Sequence, residues 1–275
     1  MRGTAVTVTN AATNLYLPDA KLTQPAVSAI DEFAKSSLPG VWAFLDKATI
    51  VADLRSRVND PVQINQGGQP FCGPAAVLFE LVRKQPLRYV RICQSLFETG
   101  YFQAASHWIS ASNELRQASR GDLHMSQVDW MVLATLRQSE NLLFPVEPNA
   151  PEMIRNLAGM TKSWEMRGWI KEILGYRKSE YYHAYLMNDV SALNQAAAAI
   201  QSGGVAFALI TAEGMLQTNP PPIPFPSHWV ALLGNIAVTN NQVSFDVYTW
   251  SKKLHLDLDL SSFKKYFWAA VTGIP

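Results

Sequence analysis

Residues 66–76 read QGGQPFCGPAA, and an apolar run, VLFELV, follows directly at residues 77–82. Pro74 suits the first turn of a helix, where a missing N–H costs nothing. The apolar residues beyond it cover nearly every face of a helix until Arg83 and Lys84, which is typical of a helix surrounded by protein. The sequence therefore predicts a buried helix that begins at Cys72.

Cys72 is a candidate nucleophile because of its place at the start of this helix. The unpaired N–H groups of a helix N-terminus carry a partial positive charge, which favours a thiolate over a thiol. The thiolate is the nucleophilic form of cysteine. A cysteine at a helix start can also be an ordinary buried residue, and the position of Cys72 alone does not separate the two interpretations.

Composition indicates a globular protein and argues against a nucleic-acid partner. Of 275 residues, 48% are hydrophobic and 16% are charged, which predicts one compact unit with a well-filled core. Lysine and arginine total 23, whereas aspartate and glutamate total 22. The chain therefore has no basic field that would gather nucleic acid.

The sequence shows no signal for export or membrane insertion. Its amino terminus lacks an apolar core with a cleavage site, and no stretch approaches the roughly 18 apolar residues of a membrane span. We expect a soluble protein made in the cytoplasm, with no membrane partner. In that reducing compartment a disulfide between Cys72 and Cys93 is disfavoured, and the spacing around Cys93 is typical of a buried helical cysteine.

Helical patterns occupy the sequence on both sides of Cys72. They are expected around residues 25–35 and 47–58, with a break at Asp60, and again through residues 86–187. The clearest segments of the second region are residues 126–137, 150–157 and 163–174. Four tryptophans of this region are expected to pack in the helical core: Trp108, Trp130, Trp164 and Trp169.

The carboxy-terminal third has the pattern of a sheet. Residues 189–202 read as a capped helix that ends at two glycines, and residues 205–210 read as a buried strand. After a proline-rich loop, a β-hairpin is predicted from residue 228 to residue 250, followed by alternating strands at residues 254–260 and 267–272. The predicted class is α+β, with the buried nucleophile helix in a helical lobe packed on a small antiparallel sheet.

Two further residues complete a candidate site for nucleophilic catalysis. A cysteine nucleophile needs a base that takes its proton and donors that stabilise the oxyanion of the tetrahedral intermediate. His228 begins a strand after the proline-rich loop, so its ring is expected at a sheet edge as the candidate base. Gln66 lies six residues before Cys72 (72 − 66), and the two glycines between them allow its amide to approach the oxyanion.

The segment Gln66-x5-Cys72-Gly-Pro-Ala-Ala, together with His228-Trp-Val-Ala-Leu, resembles the papain-like cysteine peptidase superfamily. The resemblance is to the branch of double-glycine leader peptidases and related bacterial effector peptidases. Cys72 and His228 are 156 residues apart (228 − 72), near the roughly 130–150 of papain-type enzymes. The match covers residues 61–82 and about 189–272 and implies a cleft between a helical lobe and a sheet.

The resemblance also implies roles and boundaries. Cys72 would be the nucleophile, His228 the base, and Gln66 with the Cys72 N–H the oxyanion donors. The substrate would be a protein or peptide, and neither a cofactor nor a metal ion is expected. Residues 1–60 would be an N-terminal helical extension, and residues 61–275 the catalytic domain, with a helical lobe at 61–188 and a β lobe at 189–275.

The third catalytic member departs from the family pattern. Leader peptidases carry Asp-Pro after the strand of the histidine, and papain-type enzymes carry Asn-Ser-Trp-Gly, whereas this chain reads FDVYTWS at residues 245–251. Asp246 is the only carboxylate of that strand and is the predicted residue that orients the imidazole. Aligning Trp250 with the papain-type tryptophan places Tyr248 there instead, on the same face of the strand.

Two other functions remain open at this level. The same machinery removes ammonia from a glutamine side chain or passes an acyl group to an amine, so a deamidase or a transglutaminase is the alternative enzyme. A papain-like scaffold used only for binding is the alternative without catalysis. The five histidines show no spacing typical of a zinc site.

The biological role follows from resemblance alone. A bacterial papain-like enzyme without a signal sequence is similar to toxin domains delivered by contact-dependent or type VI secretion systems. Such domains are made in the cytoplasm and exported by a dedicated system, and an immunity protein that inhibits them would then be a partner.

Overall fold

The computed structural model describes residues 6–11, 16–140, 161–184, 189–217 and 220–275. Within these ranges helices combine with a mostly antiparallel sheet, which confirms the α+β class. Contacts divide the chain into a helical unit, Tyr16–Met160 with Glu172–Leu174, and a sheet unit, which takes in Met1–Leu15, Thr161–Lys171 and Gly175–Pro275.

The helices and strands of the described ranges are numbered in chain order. The helices are α1 (Ala20–Lys35), α2 (Lys47–Asn59), α3 (Cys72–Lys84), α4 (Pro86–Thr99), α5 (Asn113–Gln117), α6 (Gln127–Glu140), α7 (Ser163–Glu172), α8 (Asp189–Gln201), α9 (Ala212–Met215) and α10 (Leu260–Tyr266), with a 3-10 turn at Pro61–Gln63. The strands are β1 (Val6–Asn10), β2 (Tyr101–Gln103), β3 (Trp108–Ser110), β4 (Lys178–His183), β5 (Val205–Ile210), β6 (His228–Val238), β7 (Gln242–Thr249), β8 (Lys252–Asp259) and β9 (Phe267–Ile274).

The first two helices belong to the core of the helical unit. Asp19 and Asp46 cap α1 and α2 by accepting hydrogen bonds from N–H groups of the first turn, at 2.8 Å and 2.7 Å. The Phe33 ring of α1 meets the Phe97 ring of α4 edge to face, with 5.7 Å between centroids. Helices on both sides of the predicted boundary at residue 60 therefore belong to this unit.

The sheet unit contains a seven-stranded sheet in the order β1-β8-β7-β6-β5-β9-β4. All of its neighbouring strands are antiparallel. The strands predicted in the carboxy-terminal third are confirmed as β5 to β9. The sheet extends beyond the predicted β lobe, because β1 adds an edge beside β8 and β4 adds the other edge beside β9.

One face of this sheet packs on α8 and α10. Leu193 of α8 and Phe263 of α10 are fully buried in the cluster that includes Val230, Leu232 and Val247 of the central strands. Successive side chains of a strand point to opposite faces. We call the side with Val230 and Val247 the α8 face. Alternation then assigns a face to the other residues of β7 and to the residues of β6 up to Leu232, where the register with β7 first shifts.

The predicted helical middle contains strands as well as helices. Trp108 lies on β3, where its ring is 62% exposed and meets Tyr101 of β2 edge to face. Trp164 lies in α7 but is 64% exposed. The prediction of core packing is thus wrong for these two tryptophans and is confirmed for Trp130 and Trp169, which are fully buried. The helix predicted at residues 150–157 lies outside the described residues.

Cys72 and Cys93 are both free thiols, and Cys93 is fully buried in α4 as predicted. Burial raises the pKa of the Cys93 thiol well above its ordinary value. In the part of the chain that the structure describes, none of the helices has the length and hydropathy of a membrane span.

Gly204 marks a close backbone approach that tests this arrangement. A Cβ at this position would lie 2.2 Å from the carbonyl oxygen of Gly273 on β9, so the strand itself would have to move. We expect Gly204→Ala to lower the free energy of unfolding by about 1–3 kcal/mol in urea titrations. Gly168→Ala is the matched control, because its Cβ meets nothing within 4 Å and the position is helical. It should be neutral or stabilising, and equal losses in the two variants would contradict the packing described.

Candidate active site

Cys72 is the first residue of α3, as the sequence predicts. The first turn of α3 contains no acidic residue, and among the described residues no side chain caps the helix at Phe71. The first turn itself therefore supplies no negative charge that would oppose the partial positive charge of this 13-residue helix. Cys72 itself is 8% exposed, and every residue from Cys72 to Val82 is buried, so the helix is surrounded by protein as expected.

The loop before Cys72 is tightly folded and contains Gln66. Its side-chain Nε2 donates a hydrogen bond of 2.9 Å to the carbonyl oxygen of Gln69, and the Gln69 N–H donates back to the Gln66 carbonyl at 2.9 Å. Gly67 and Gly68 have φ of 57° and 72°, and a Cβ on Gly67 would lie 2.4 Å from a backbone oxygen. An amide nitrogen has two hydrogens, so the bond to Gln69 leaves one for an oxyanion.

A buried ion pair holds the start of this loop. The Asp129 carboxylate of α6 accepts from the Asn65 N–H at 2.9 Å and receives a two-point contact from the Arg57 guanidinium of α2, at 2.8 Å and 3.2 Å. Burial raises the pKa of Asp129, whereas the Arg57 charge and the hydrogen bonds oppose that shift. The segment that carries Gln66 and Cys72 is thus fixed to two helices of its own unit.

His228 is the first residue of β6, and its ring lies on the α8 face. It pairs with Ile210 of β5 and is 5% exposed. Its Nε2 lies 2.6 Å from the hydroxyl oxygen of Thr249, at the end of β7. Burial lowers the pKa of His228 from 6.5 to about 3, so the imidazole is neutral at neutral pH.

A strained turn places an aromatic ring beside this histidine. Trp250 and Ser251 join β7 to β8, with φ of 48° and 57°. Two-residue hairpin turns with both φ positive favour glycine and asparagine, so a tryptophan here costs on the order of 1–3 kcal/mol. The Trp250 ring lies 4.7 Å from the His228 ring, centroid to centroid, with 33° between their planes. The strain is therefore associated with a contact to the candidate base.

The loop that enters β6 is pinned on both sides of the proline-rich segment. Thr211 Oγ1 donates to the carbonyl oxygen of Phe225 at 2.8 Å. Ser227 Oγ donates to the Glu213 carboxylate at 2.9 Å, and the Ser227 N–H donates to the carbonyl of Ile210 at 2.9 Å. These bonds fix the position at which His228 joins the sheet.

Asp246 does not lie beside His228. Its carboxylate is 2.6 Å from His255 Nδ1 of β8 and accepts from Asn235 Nδ2 at 2.6 Å. Val247 and Thr249 share the α8 face with His228, so alternation places Asp246 and Tyr248 on the opposite face. The pairing of Asp246 with Gly234 also puts it about 20 Å along β6 from His228, at about 3.3 Å per residue. The structure corrects the prediction that Asp246, or Tyr248, orients the ring.

Thr249 is the neighbour of His228 that sequence reasoning missed. A signal for it exists, because Val243, Phe245 and Val247 are apolar residues of one face of β7, and Thr249 is the next position on that face. Comparisons with protein-family models, curated proteins and solved structures found no match.

The structure thus brings the predicted site residues together only in part. Gln66 and Cys72 share one loop and helix start in the helical unit. His228 and Asp246 both belong to the sheet unit but lie on opposite faces of the sheet.

Asp129 offers a test of the loop anchor. Asp129→Ala leaves the Arg57 guanidinium buried without its main partner, so the free energy of unfolding should fall by about 3–5 kcal/mol. Asp31→Ala is the control, because the Asp31–Arg55 pair is about half exposed and such pairs contribute roughly 0–1 kcal/mol. Urea denaturation of both variants gives the comparison. A loss for Asp129→Ala no larger than that of the control would contradict the anchoring role.

We expect the burial of His228 to lower the free energy of unfolding at acidic pH. The folded state keeps the ring neutral down to about pH 3, whereas the unfolded chain binds a proton near pH 6.5. The contribution of His228 to stability is therefore complete above pH 6.5 and is lost progressively as pH falls toward 3. Between pH 7 and pH 4, His228→Gln should lose about 3 kcal/mol less free energy of unfolding than the wild type.

The exposed His107 supplies the control for this pH dependence. His107→Gln, whose side chain is 56% exposed in the wild type, should follow the wild-type pH curve. Identical pH dependence of His228→Gln and wild type would mean that the His228 ring is not kept neutral by burial.

Proposed function

We propose that the chain is a papain-like cysteine peptidase, with Cys72 as the nucleophile and His228 as the base. The observation that carries the proposal is the position of Cys72 at the uncapped start of the buried helix α3. A second support is the position of His228 as the first residue of a strand, after a loop, in an antiparallel sheet later in the chain. The order of cysteine before histidine is that of the papain-like pattern.

The protonation state of His228 determines the form of the first step. A neutral imidazole accepts a proton, so His228 would take the Cys72 thiol proton as sulfur attacks the substrate carbonyl. The Cys72 N–H and the Gln66 amide would stabilise the oxyanion. The imidazolium then gives its proton to the leaving amine, and a thioester to Cys72 remains. Water, deprotonated by His228, hydrolyses the thioester and restores the thiol.

The loop that precedes His228 supports a peptide substrate. Ile223 and Phe225 are 79% and 51% exposed, although both are apolar. Phe225 lies three residues before the proposed base (228 − 225), and the hydrogen bond from Thr211 Oγ1 to its carbonyl oxygen holds its backbone in place. An exposed apolar pair in a proline-stiffened loop offers contact surface for the side chains of an extended peptide.

Loss of the Cys72 thiol should abolish the activity. Cys72→Ala should reduce the formation of new protein termini by at least about 10³-fold, because the thioester can no longer form. The measurement is proteomic detection of new amino termini in cells that express either protein. Cys93→Ala is the matched control and should retain activity, since Cys93 is buried in α4.

The mass of the product separates the possible outcomes of this experiment. New termini that depend on Cys72 support a peptidase. A gain of about one dalton at glutamine residues, or a new isopeptide bond, would replace peptidase with deamidase or transglutaminase. Alkylation of Cys72 by iodoacetamide at pH 6 no faster than that of Cys93, with no modified target, would overturn catalysis and leave a binding scaffold.

A further inference from the structure

Thr249 is the described side chain whose polar atom reaches the His228 ring. The distance between Thr249 Oγ1 and His228 Nε2 is 2.6 Å, and the two residues are 2% and 5% exposed. A buried ring nitrogen needs a hydrogen-bond partner, and a hydroxyl can serve either as donor or as acceptor. Of the two ring nitrogens, this contact occupies Nε2.

We infer that Thr249 is the positioning residue of His228, an inference that rests on the proposed peptidase function. The Thr249 hydroxyl accepts the hydrogen of Nε2, fixes the ring in the Nε2–H tautomer and leaves the lone pair of Nδ1 to take the thiol proton. In this role Thr249 acts through His228. In this role a hydroxyl stands where a carboxamide or a carboxylate is the usual partner of a base.

The choice of a hydroxyl has a chemical consequence. A carboxylate partner stabilises an imidazolium by its charge, whereas an uncharged hydroxyl fixes orientation and tautomer alone. The nearest carboxylate on β7, that of Asp246, lies on the other face and is already engaged with His255. The resting His228 is therefore a neutral base, and charge develops on the ring only as the proton is transferred.

Trp250 completes the positioning of the ring. Its ring centroid lies 4.7 Å from that of His228, with the two planes tilted by 33°, and Trp250 follows Thr249 directly in the chain. Trp250 and Ser251, the two residues of the turn, both have positive φ. This turn conformation sets the direction in which the indole leaves the end of β7. Two adjacent residues thus position one imidazole: the Thr249 hydroxyl contacts its Nε2, and the Trp250 ring packs beside it.

The tautomer is measured directly in the resting protein. Nitrogen NMR of histidine-labelled protein at pH 7, with the His228 signal identified by its loss in His228→Gln, should show a protonated Nε2 and an unprotonated Nδ1. Thr249→Ser should keep this pattern, and Thr249→Val should lose it. A wild-type His228 with its proton on Nδ1 would overturn the inference without any variant of Thr249.

The effect on the nucleophile is measured by alkylation of Cys72. Thr249→Val should slow the reaction of Cys72 with iodoacetamide at pH 7 by about 10²-fold, the lower end of the effect of a general base, and Thr249→Ser should stay close to wild type. On a peptide substrate the loss should fall on kcat with KM unchanged. Thr249→Val with the wild-type tautomer and the wild-type alkylation rate contradicts the positioning role.

Failure of the proposed function would look different. In that case the wild-type protein already shows Cys72 alkylation no faster than that of Cys93, before any change at Thr249, and the inference falls with the function. A reactive wild-type Cys72 that is insensitive to Thr249→Val instead overturns the inference alone.

Discussion

A buried imidazole stays neutral at neutral pH unless a counter-charge accompanies it, and the burial of His228 imposes this constraint on the sheet unit. The ring sits at the start of β6, beside Ile210 on one side and Thr249 on the other. The polar partner that the described residues give it is an uncharged hydroxyl, which does not offset the cost of protonation by a charge. The resting ring of His228 is therefore neutral, and its protonation is unfavourable while it stays buried.

The helical unit meets the complementary requirement by different means. Asp129 and Arg57 form a buried pair whose charges balance, and the pair holds the loop in which Gln66 and Cys72 lie. The first turn of α3 has no acidic residue that would oppose the partial positive charge of the helix N-terminus. Under the proposed function, developing negative charge on sulfur or on an oxyanion would be stabilised by the helical unit, and the sheet unit would supply the neutral base. This division is the physical content of the proposed catalysis.

The longer helices were predictable because their signals are local, whereas the short helices α9 and α10 were not predicted. Asp46, Pro74 and the glycines after α8 mark helix ends through hydrogen bonds and φ angles within a few residues. The short strands β2, β3 and β4 were missed, because a run of three to six residues is too brief for its period to be distinguished. The exposure of Trp108 depends on the pairing of β2 with β3, which the apolar character of tryptophan does not reveal.

The candidate site was predictable in residue type but not in register. His228 and Cys72 follow from motif and position, whereas the partner of His228 depends on which face of β7 it shares. The register between β6 and β7 shifts by one residue near Gly234 and by one more before Ala237. Together the shifts amount to two residues, so the side chains return to the same faces of the sheet. Counting residues from the turn at 239–241 places Thr249 on the face of His228. No feature of the sequence, however, shows that the register shifts add up to an even number. Asp246 was predicted to orient the imidazole because of its charge, but its side chain lies on the face of the sheet opposite His228.

Joint action of Cys72 and His228 is tested most directly by a short bifunctional alkylating reagent, 1,3-dibromoacetone. The reagent first alkylates the more reactive thiol and then bridges only to a nucleophile within its reach. A single cross-linked peptide pair that joins Cys72 to His228, absent in His228→Gln and unaffected by Cys93→Ala, is the result expected of an acid–base pair. Alkylated Cys72 with no bridge to His228, in protein shown to be folded, would contradict the claim that the two residues work on one substrate.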